Sequence, residues 1–408
     1  MASPYCNREI LQRACNPLLS KSPLSTPIEK FLPYSRVARR CMVCIAAGLR
    51  FFFTPAEVEL FDAALRRILA QAAVFCNQQY FQLRKELRRM PALVRDRRYE
   101  TCSTTLLIVT TIVMTGCTVR KFAINKLGDS LANSGTTFAS DNDPEFVGQA
   151  IPFSLKLIEG LLAESPRHRG LLFAAASGFT QYSYAYVQQS SEQVETEDVT
   201  KSQALGERAR NLYLRARDYG LRGLETRHRG FSMSLRENPK VGVRIAKPVD
   251  VPLLYWTAVA WGAAIALSKD RPELVAEQPQ VEALIDRAYE LNPDYEHGAI
   301  DQFLVSYESA RHGAKGDFAA RSKMHFDRAV SLSNGQLASP YVAYAETISV
   351  QKQNRAEFEA LLKQALTLDP DSRPEWRLSN LVMQRRARWL LSREDELFLD
   401  AAAAGEAK

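Results

Sequence analysis

Along the second half of the chain, apolar residues recur at helical rather than strand spacing. Val281, Leu284, Ile285 and Ala288 fall at i, i+3, i+4 and i+7, and Asn292-Pro293 follows them. Phe358, Leu361, Leu362 and Ala365 repeat the pattern, opened by Asn354 with Glu357 three residues on and closed by Asp369-Pro370. Such spacing puts one apolar stripe on each helix, and the flanks supply a capping-box start and a proline stop. Alternation with period two, the mark of a half-buried strand, is nearly absent after Glu145. The pattern predicts an all-α fold of short, cleanly ended helices over residues 145–400.

The helix ends themselves recur. Ala288-Tyr-Glu-Leu-Asn-Pro293, Ala329-Val-Ser-Leu-Ser-Asn334 and Ala365-Leu-Thr-Leu-Asp-Pro370 share one outline, with alanines 41 and 36 residues apart, and Leu161-Leu-Ala-Glu-Ser-Pro166 is a weaker, earlier copy. The spacing lies near the tetratricopeptide period of about 34 residues. A small residue there lets paired helices approach closely, and each hairpin buries its apolar face only against its neighbour. The expectation is a tetratricopeptide-like α/α solenoid of helical hairpins, which presents a concave or perforated surface.

One stretch breaks the amphipathic rule. Between Asp250 and Lys269 there is no charged residue, and Val251 to Leu267 is apolar all round, so this helix is buried in a core or spans a membrane. Pro252, Thr257, Gly262 and a length at the lower limit for a span favour a central core helix. Tyr255, Trp256 and Trp261 are the candidate ligand-lining residues, with ordinary core packing as the competing reading. The two tryptophans stand about 140° apart around a straight helix, so they cannot both enter one narrow cavity. Of the two, Trp256 is expected to line it and Trp261 to pack in the core. Tyr182, Tyr184 and Tyr186 occupy alternate positions, cannot share one helix face, and are weaker candidates.

Near the other end, residues 90–116 have the layout of a secretory signal. Arg95, Arg97 and Arg98 precede an uncharged apolar run from Ser103 to Met114, and Gly116-Cys117 follows. As a helix the run spans about 18 Å, short of the roughly 30 Å hydrocarbon core. Met114-Thr-Gly-Cys117 resembles the lipobox of bacterial lipoproteins. That resemblance implies that Cys117 carries a diacylglyceryl group as the first mature residue and holds the chain to a membrane on its periplasmic side. Thr118 rather than Asp after the cysteine implies the outer membrane. The competing reading is a buried helix in which the cysteine is a small apolar residue.

A signal of this kind works at the start of a chain, so the expected start is Met90. Residues 1–89, with scattered cysteines and Phe51-Phe52-Phe53, then read as upstream sequence outside the functional protein. An amphipathic, Arg-rich helix from Thr54 to Met90 is the alternative. Residues 117–144, with Gly, Ser, Asn and Asp, read as a lipidated tether, and 401–408 as a tail.

Charge and cysteine content divide at the same place. The chain of 408 residues has 53 basic and 46 acidic residues; 17 and 8 of these precede Cys117, which leaves 36 and 38 after it. The part expected to fold is near neutral, which argues against nucleic acid as a partner. All seven cysteines lie at or before Cys117, so nothing after it forms a disulfide, and Cys41 and Cys44 make a lone C-x-x-C of little weight for zinc or redox chemistry.

No phosphate-binding, dinucleotide, zinc-protease or nucleophile-elbow motif occurs. The histidines His168, His228, His297, His312 and His325 have no metal-ligand spacing, and Glu296 beside His297 is the nearest approach to an acid/base pair. An enzyme, a cofactor and a metal are therefore not expected.

Four segments together resemble the T-component (TatT) family of TRAP transporters, the tripartite ATP-independent periplasmic systems. They are Leu212-Tyr-Leu-Arg-Ala-Arg-Asp-Tyr-Gly220, Pro252-Leu-Leu-Tyr-Trp-Thr-Ala-Val-Ala-Trp-Gly262, His297-Gly298 with Tyr307-Glu308, and Pro340-Tyr-Val-Ala-Tyr-Ala345. The resemblance runs from about Gly116-Cys117 to Phe398. It implies a periplasmic lipoprotein with tetratricopeptide-like repeats, homotrimeric in some members, that partners a TRAP substrate-binding protein and scaffolds or hands over a small ligand. A tetratricopeptide scaffold of another envelope-assembly system is the alternative, and a helical cell-wall hydrolase a third.

Overall fold

Helices form where capping residues and apolar stripes place them in the computed structural model, which describes Lys126, residues 135–311 and residues 316–399. Cys117 and the expected signal segment lie outside the described residues. Among the described residues every regular element is helical. α1 is Pro144–Glu164, N-capped by Asp143, whose side chain accepts from the Phe146 N–H at 2.9 Å. α2, Arg169–Tyr182, is capped by His168 Nδ1 and runs on through a π turn, Ser183–Gln188, and a last α turn, Gln189–Gln193. α3 is Val199–Glu225, capped by Asp198. Then follow α4 Val251–Ala266, α5 Gln278–Leu291, α6 Ala299–Tyr307 and α7 Phe318–Leu332. α8 Ser339–Tyr344 ends in a second π turn, Ala345–Ser349, before α9 Arg355–Thr367 and α10 Arg377–Ser392.

Packing is chiefly between neighbours in sequence. α3 lies against α2 and α4, α4 against α5, α6 against α7 and α8, and α9 against α8 and α10. The recurring alanines Ala288, Ala329 and Ala365 are fully buried, as are Val281, Leu284, Ile285, Phe358 and Leu362. α4 is a core helix, with Leu253, Leu254, Ala258, Ala260 and Ala264 sealed from solvent. The capping box expected at α9 is only half made. Asn354 Oδ1 accepts from the Glu357 N–H at 3.2 Å, but the Asn354 N–H donates to the Ser349 carbonyl, and the Glu357 carboxylate accepts from Ser349 Oγ at 2.8 Å. The preceding π turn brings Ser349 close enough to take both groups.

The chain also returns on itself, which no local pattern announces. Arg385 of α10 pairs with Glu145 at 2.7 Å and donates to the Ala185 carbonyl, and Arg377 donates to the Ser140 carbonyl. The short helix Gly135–Ala139 and Ser140 therefore belong to the packed body, although the sequence placed them in the tether. At the centre of this closure Arg386, 4% exposed, pairs with Glu192 at 2.7 Å and bidentately with Glu346. Each carboxylate comes from a helix carrying a π turn, where the widened turn shifts side chains off the regular helical register.

Between α3 and α4 an excursion of short helical turns, Phe231–Glu237, Pro239–Gly242, Val243–Ile245 and Pro248–Asp250, packs on itself and on α5. Glu225 starts it by accepting from the N–H groups of Gly230 and Ser232, with Gly230 at φ +83°. Asp250, fully buried, ends it.

Candidate functional site

α2 with its π turn, α3, α4, α5 and α6 line a half-open pocket of about 340 Å³, with Ala266 and Ala310 of its lining exposed. α4 contributes Val259, Gly262, Ala263, Ile265 and Ala266, of which Val259, Gly262, Ala263 and Ala266 fall at i, i+3, i+4 and i+7 on one face. Phe303 of α6 covers Gly262, where a methyl group would meet its ring at 3.3 Å. Among the described residues the polar lining groups are Thr180, Tyr184, Gln188, Tyr213, Gln278, Ser306 and Tyr307, and no charged side chain lines the space.

These polar groups are mostly committed. Tyr213 Oη donates to Gln188 Oε1 at 2.7 Å, Gln278 Nε2 donates to the Ala310 carbonyl, and Tyr184 Oη reaches Met383 Sδ at 3.8 Å. Tyr307 is an exception. Its ring stacks on Phe303 at 5.0 Å, and its hydroxyl is buried beside Gln278 with no hydrogen bond of good geometry. Burial pushes the Tyr184 phenol up to about 12 and raises those of Tyr213 and Tyr307 as well, so all three stay neutral. Such a site can hold an uncharged, largely apolar molecule with one oxygen or nitrogen for Tyr307.

The aromatics singled out from the sequence stand beside this cavity rather than on its wall. Tyr255 and Trp256 lie on the same side of α4, one to two turns nearer its N-terminus, where Tyr255 packs on Tyr295 at 5.4 Å and on Trp256 at 5.0 Å. Trp261 is about 200° round the helix from Val259 and Ala263. It is buried under the Arg217 guanidinium, with Nε1 donating to Glu277 at 2.9 Å. The aromatic lining of the pocket comes from other elements, as Tyr184, Tyr213, Phe303 and Tyr307, while α4 faces it with aliphatic residues and Gly262. Gly262 and Ala263 were the available signal. Tyr182, Tyr184 and Tyr186 do not share one face, as expected: Tyr182 and Tyr186 stack at 5.7 Å, and Tyr184 turns inward.

The described histidines are engaged in the fold. His228 Nε2 lies 2.7 Å from Asp250, which also pairs with Arg169, and His325 Nδ1 lies 2.7 Å from Asp301, itself paired with Arg328. His297, in a turn of positive φ at Glu296, His297 and Gly298, packs edge-on to Trp376. Among the described residues no three His, Cys, Asp or Glu side chains gather as a metal site would require.

The TRAP transporter T-component family matches residues 140–398, from just before α1 to just after α10. An uncharacterized protein of Treponema pallidum (strain Nichols) is 28% identical over 308 residues, covering 71% of this chain and 95% of that protein. The match takes in the whole cavity and the closure between α10 and α1, and the chain belongs to the TRAP transporter T-component family.

Proposed function

We propose that the mature chain is a periplasmic, lipid-anchored helical-repeat protein that holds the substrate-binding component of its TRAP system and passes a small apolar ligand to or from it. Membership of the family makes it a TRAP transporter component associated with the cell envelope. The observation that carries the finer reading is the half-open pocket of about 340 Å³ among the helices, with no charged side chain among its described lining residues. Its volume falls in the lower range of small-molecule sites. Apolar molecules are poorly served by free diffusion through water, and a largely apolar, phenol-lined pocket beside a binding protein gives them a route.

The anchor in this reading is the lipid on Cys117, in the outer membrane, and the neighbour-on-neighbour packing serves as a tetratricopeptide-like scaffold. A homotrimer has an apolar surface available on α1, where Phe146, Phe153 and Leu157 are exposed along one face. Retrieval of the tethered protein from envelope extract tests the assignment. The TRAP substrate-binding component is expected among the captured proteins, and its absence after cross-linking counts against the reading.

A further inference from the structure

The excursion between α3 and α4 carries a surface that the cavity and the family do not account for. Residues 227–249 hold six basic residues, Arg227, Arg229, Arg236, Lys240, Arg244 and Lys247, against one acidic residue, Glu237. All six are exposed, and none makes an ion pair among the described residues. The stretch from Cys117 onward is slightly acidic as a whole, so this is a local concentration of positive charge.

Exposed aliphatic residues are interleaved with these cations. Val241 is 55% exposed, Ile245 54% and Val249 50%. Lys240, Val241, Arg244 and Ile245 fall on the outer face of one helical turn, opposite the buried Gly242, Val243 and Ala246. The fold holds them outward. Gly242 sits against the Ser234 and Leu235 backbone, where a Cβ would come within 2.6 Å. Arg287 donates to the Ala246 carbonyl and Arg169 to the Val249 carbonyl. Aliphatic side chains fixed in water beside unpaired cations mark a contact surface.

We propose that the ridge of residues 239–249 lays the protein onto an anionic lipid surface, with Val241, Ile245 and Val249 entering the headgroup layer and Lys240, Arg244 and Lys247 meeting phosphates. Alternation of cations with aliphatic groups is the chemistry of an interfacial membrane contact. Protein interfaces instead favour aromatic anchors and are poor in lysine, and the excursion's one aromatic ring, Phe231, is buried. The inference rests on the proposed lipid anchor only in that the anchor keeps a bilayer within reach.

The test uses the full chain carrying Cys117→Ser, so that no acyl group contributes. Vesicles of phosphatidylcholine alone are compared with vesicles containing about 30% phosphatidylglycerol, with hydrogen exchange reporting the contact. Tighter binding to the anionic vesicles is expected, with protection at residues 239–249. Reversal of Lys240, Arg244 and Lys247 to Glu should weaken it about 100-fold, and Val241→Ser with Ile245→Ser should weaken it as well. Each change is at an exposed position, and unaltered melting verifies the fold. Equal binding to both vesicle types, protection confined to other segments, or ridge variants that bind unchanged would overturn the proposal. Loss of the substrate-binding component from the ridge variants with vesicle binding intact would make the ridge a protein interface instead. Failure of the transport reading shows up separately, as no captured binding component with vesicle binding preserved.

Discussion

A methyl group placed on Gly220 would lie 2.1 Å from Thr257 Oγ1, whose hydroxyl is held against the Leu253 carbonyl at 2.5 Å. The contact joins α3 to α4, and it joins two segments that resemble the T-component family, the one ending at Gly220 and the one centred on Thr257. Gly223 continues the seam, where a Cβ would meet Leu253 at 2.8 Å. This close approach sets α4 deep in the stack, and with it the cavity face of Val259, Gly262 and Ala263. Gly220→Ala should cost about 1–3 kcal/mol by overpacking. Gly160→Ala, on the exposed side of α1 with nothing within 4 Å, should add about 0.5–1 kcal/mol. Denaturant titration of both variants checks the pair, which must shift in opposite directions.

The two tryptophans of α4 should separate in the same assay. Trp261→Ala removes a buried ring, its hydrogen bond to Glu277 and its stack on Arg217, and is expected to cost about 3–5 kcal/mol. Trp256 is half-buried, so Trp256→Ala should cost clearly less. Equal losses would place both rings equally in the core.

Asp250 gives the excursion its pH dependence. Burial pushes its carboxyl up, but hydrogen bonds from the Lys247 N–H, His228 and Arg169 outweigh burial and hold it below the ordinary carboxylate value. A carboxyl depressed in the folded state contributes stability that is fully present above about pH 4 and lost as pH falls through the folded value. Asp250→Asn should destabilise by about 2–4 kcal/mol at pH 7, since it leaves Arg169 without its partner although that side chain still reaches solvent. The gap between wild type and variant should narrow below about pH 4, and a gap constant with pH would remove Asp250 as its source.

Much of the fold was legible because helices declare themselves locally. The stripes at 281–288 and 358–365, the stops at Asn292 and Asp369, and the buried character of 251–267 all depend on residues a few positions apart. The closure of α10 on α1 was not legible, since Arg385 and Glu145 are far apart in sequence and neither belongs to a pattern. The pocket was half legible: α4 is apolar all round, but the aromatic lining comes from three other elements, with Tyr184 delivered by a π turn that nothing in the residue spacing marks. The basic excursion is invisible in the net charge of residues 117–408, where an acidic excess elsewhere offsets it.

Occupancy of the cavity can be read with the uncharged probe N-phenyl-1-naphthylamine. Its fluorescence should rise on addition of the protein and fall on competition with decan-1-ol, but much less with decanoate, because no cation among the described residues lines the site to offset a buried carboxylate. Ala263→Trp should abolish the signal, and Tyr307→Phe should weaken decan-1-ol several-fold, as expected for the loss of one neutral hydrogen bond. Equal competition by the alcohol and the acid would contradict a cavity that selects for neutrality.

Lipidation is tested by intact mass of the membrane form. Cys117 should carry acyl chains at the mature N-terminus, and Cys117→Ser should remain unmodified. A mature protein that retains Met1 would reverse the assignment of residues 1–116.

The central claim, that this T-component holds a TRAP substrate-binding protein, is tested most directly by calorimetric titration of the Cys117→Ser chain with the purified substrate-binding component of the same system. A saturable complex with one binding component per chain is expected, preserved in Ala263→Trp because the filled cavity leaves the outer surface intact. The absence of saturable heat with both proteins at about 100 μM would contradict it.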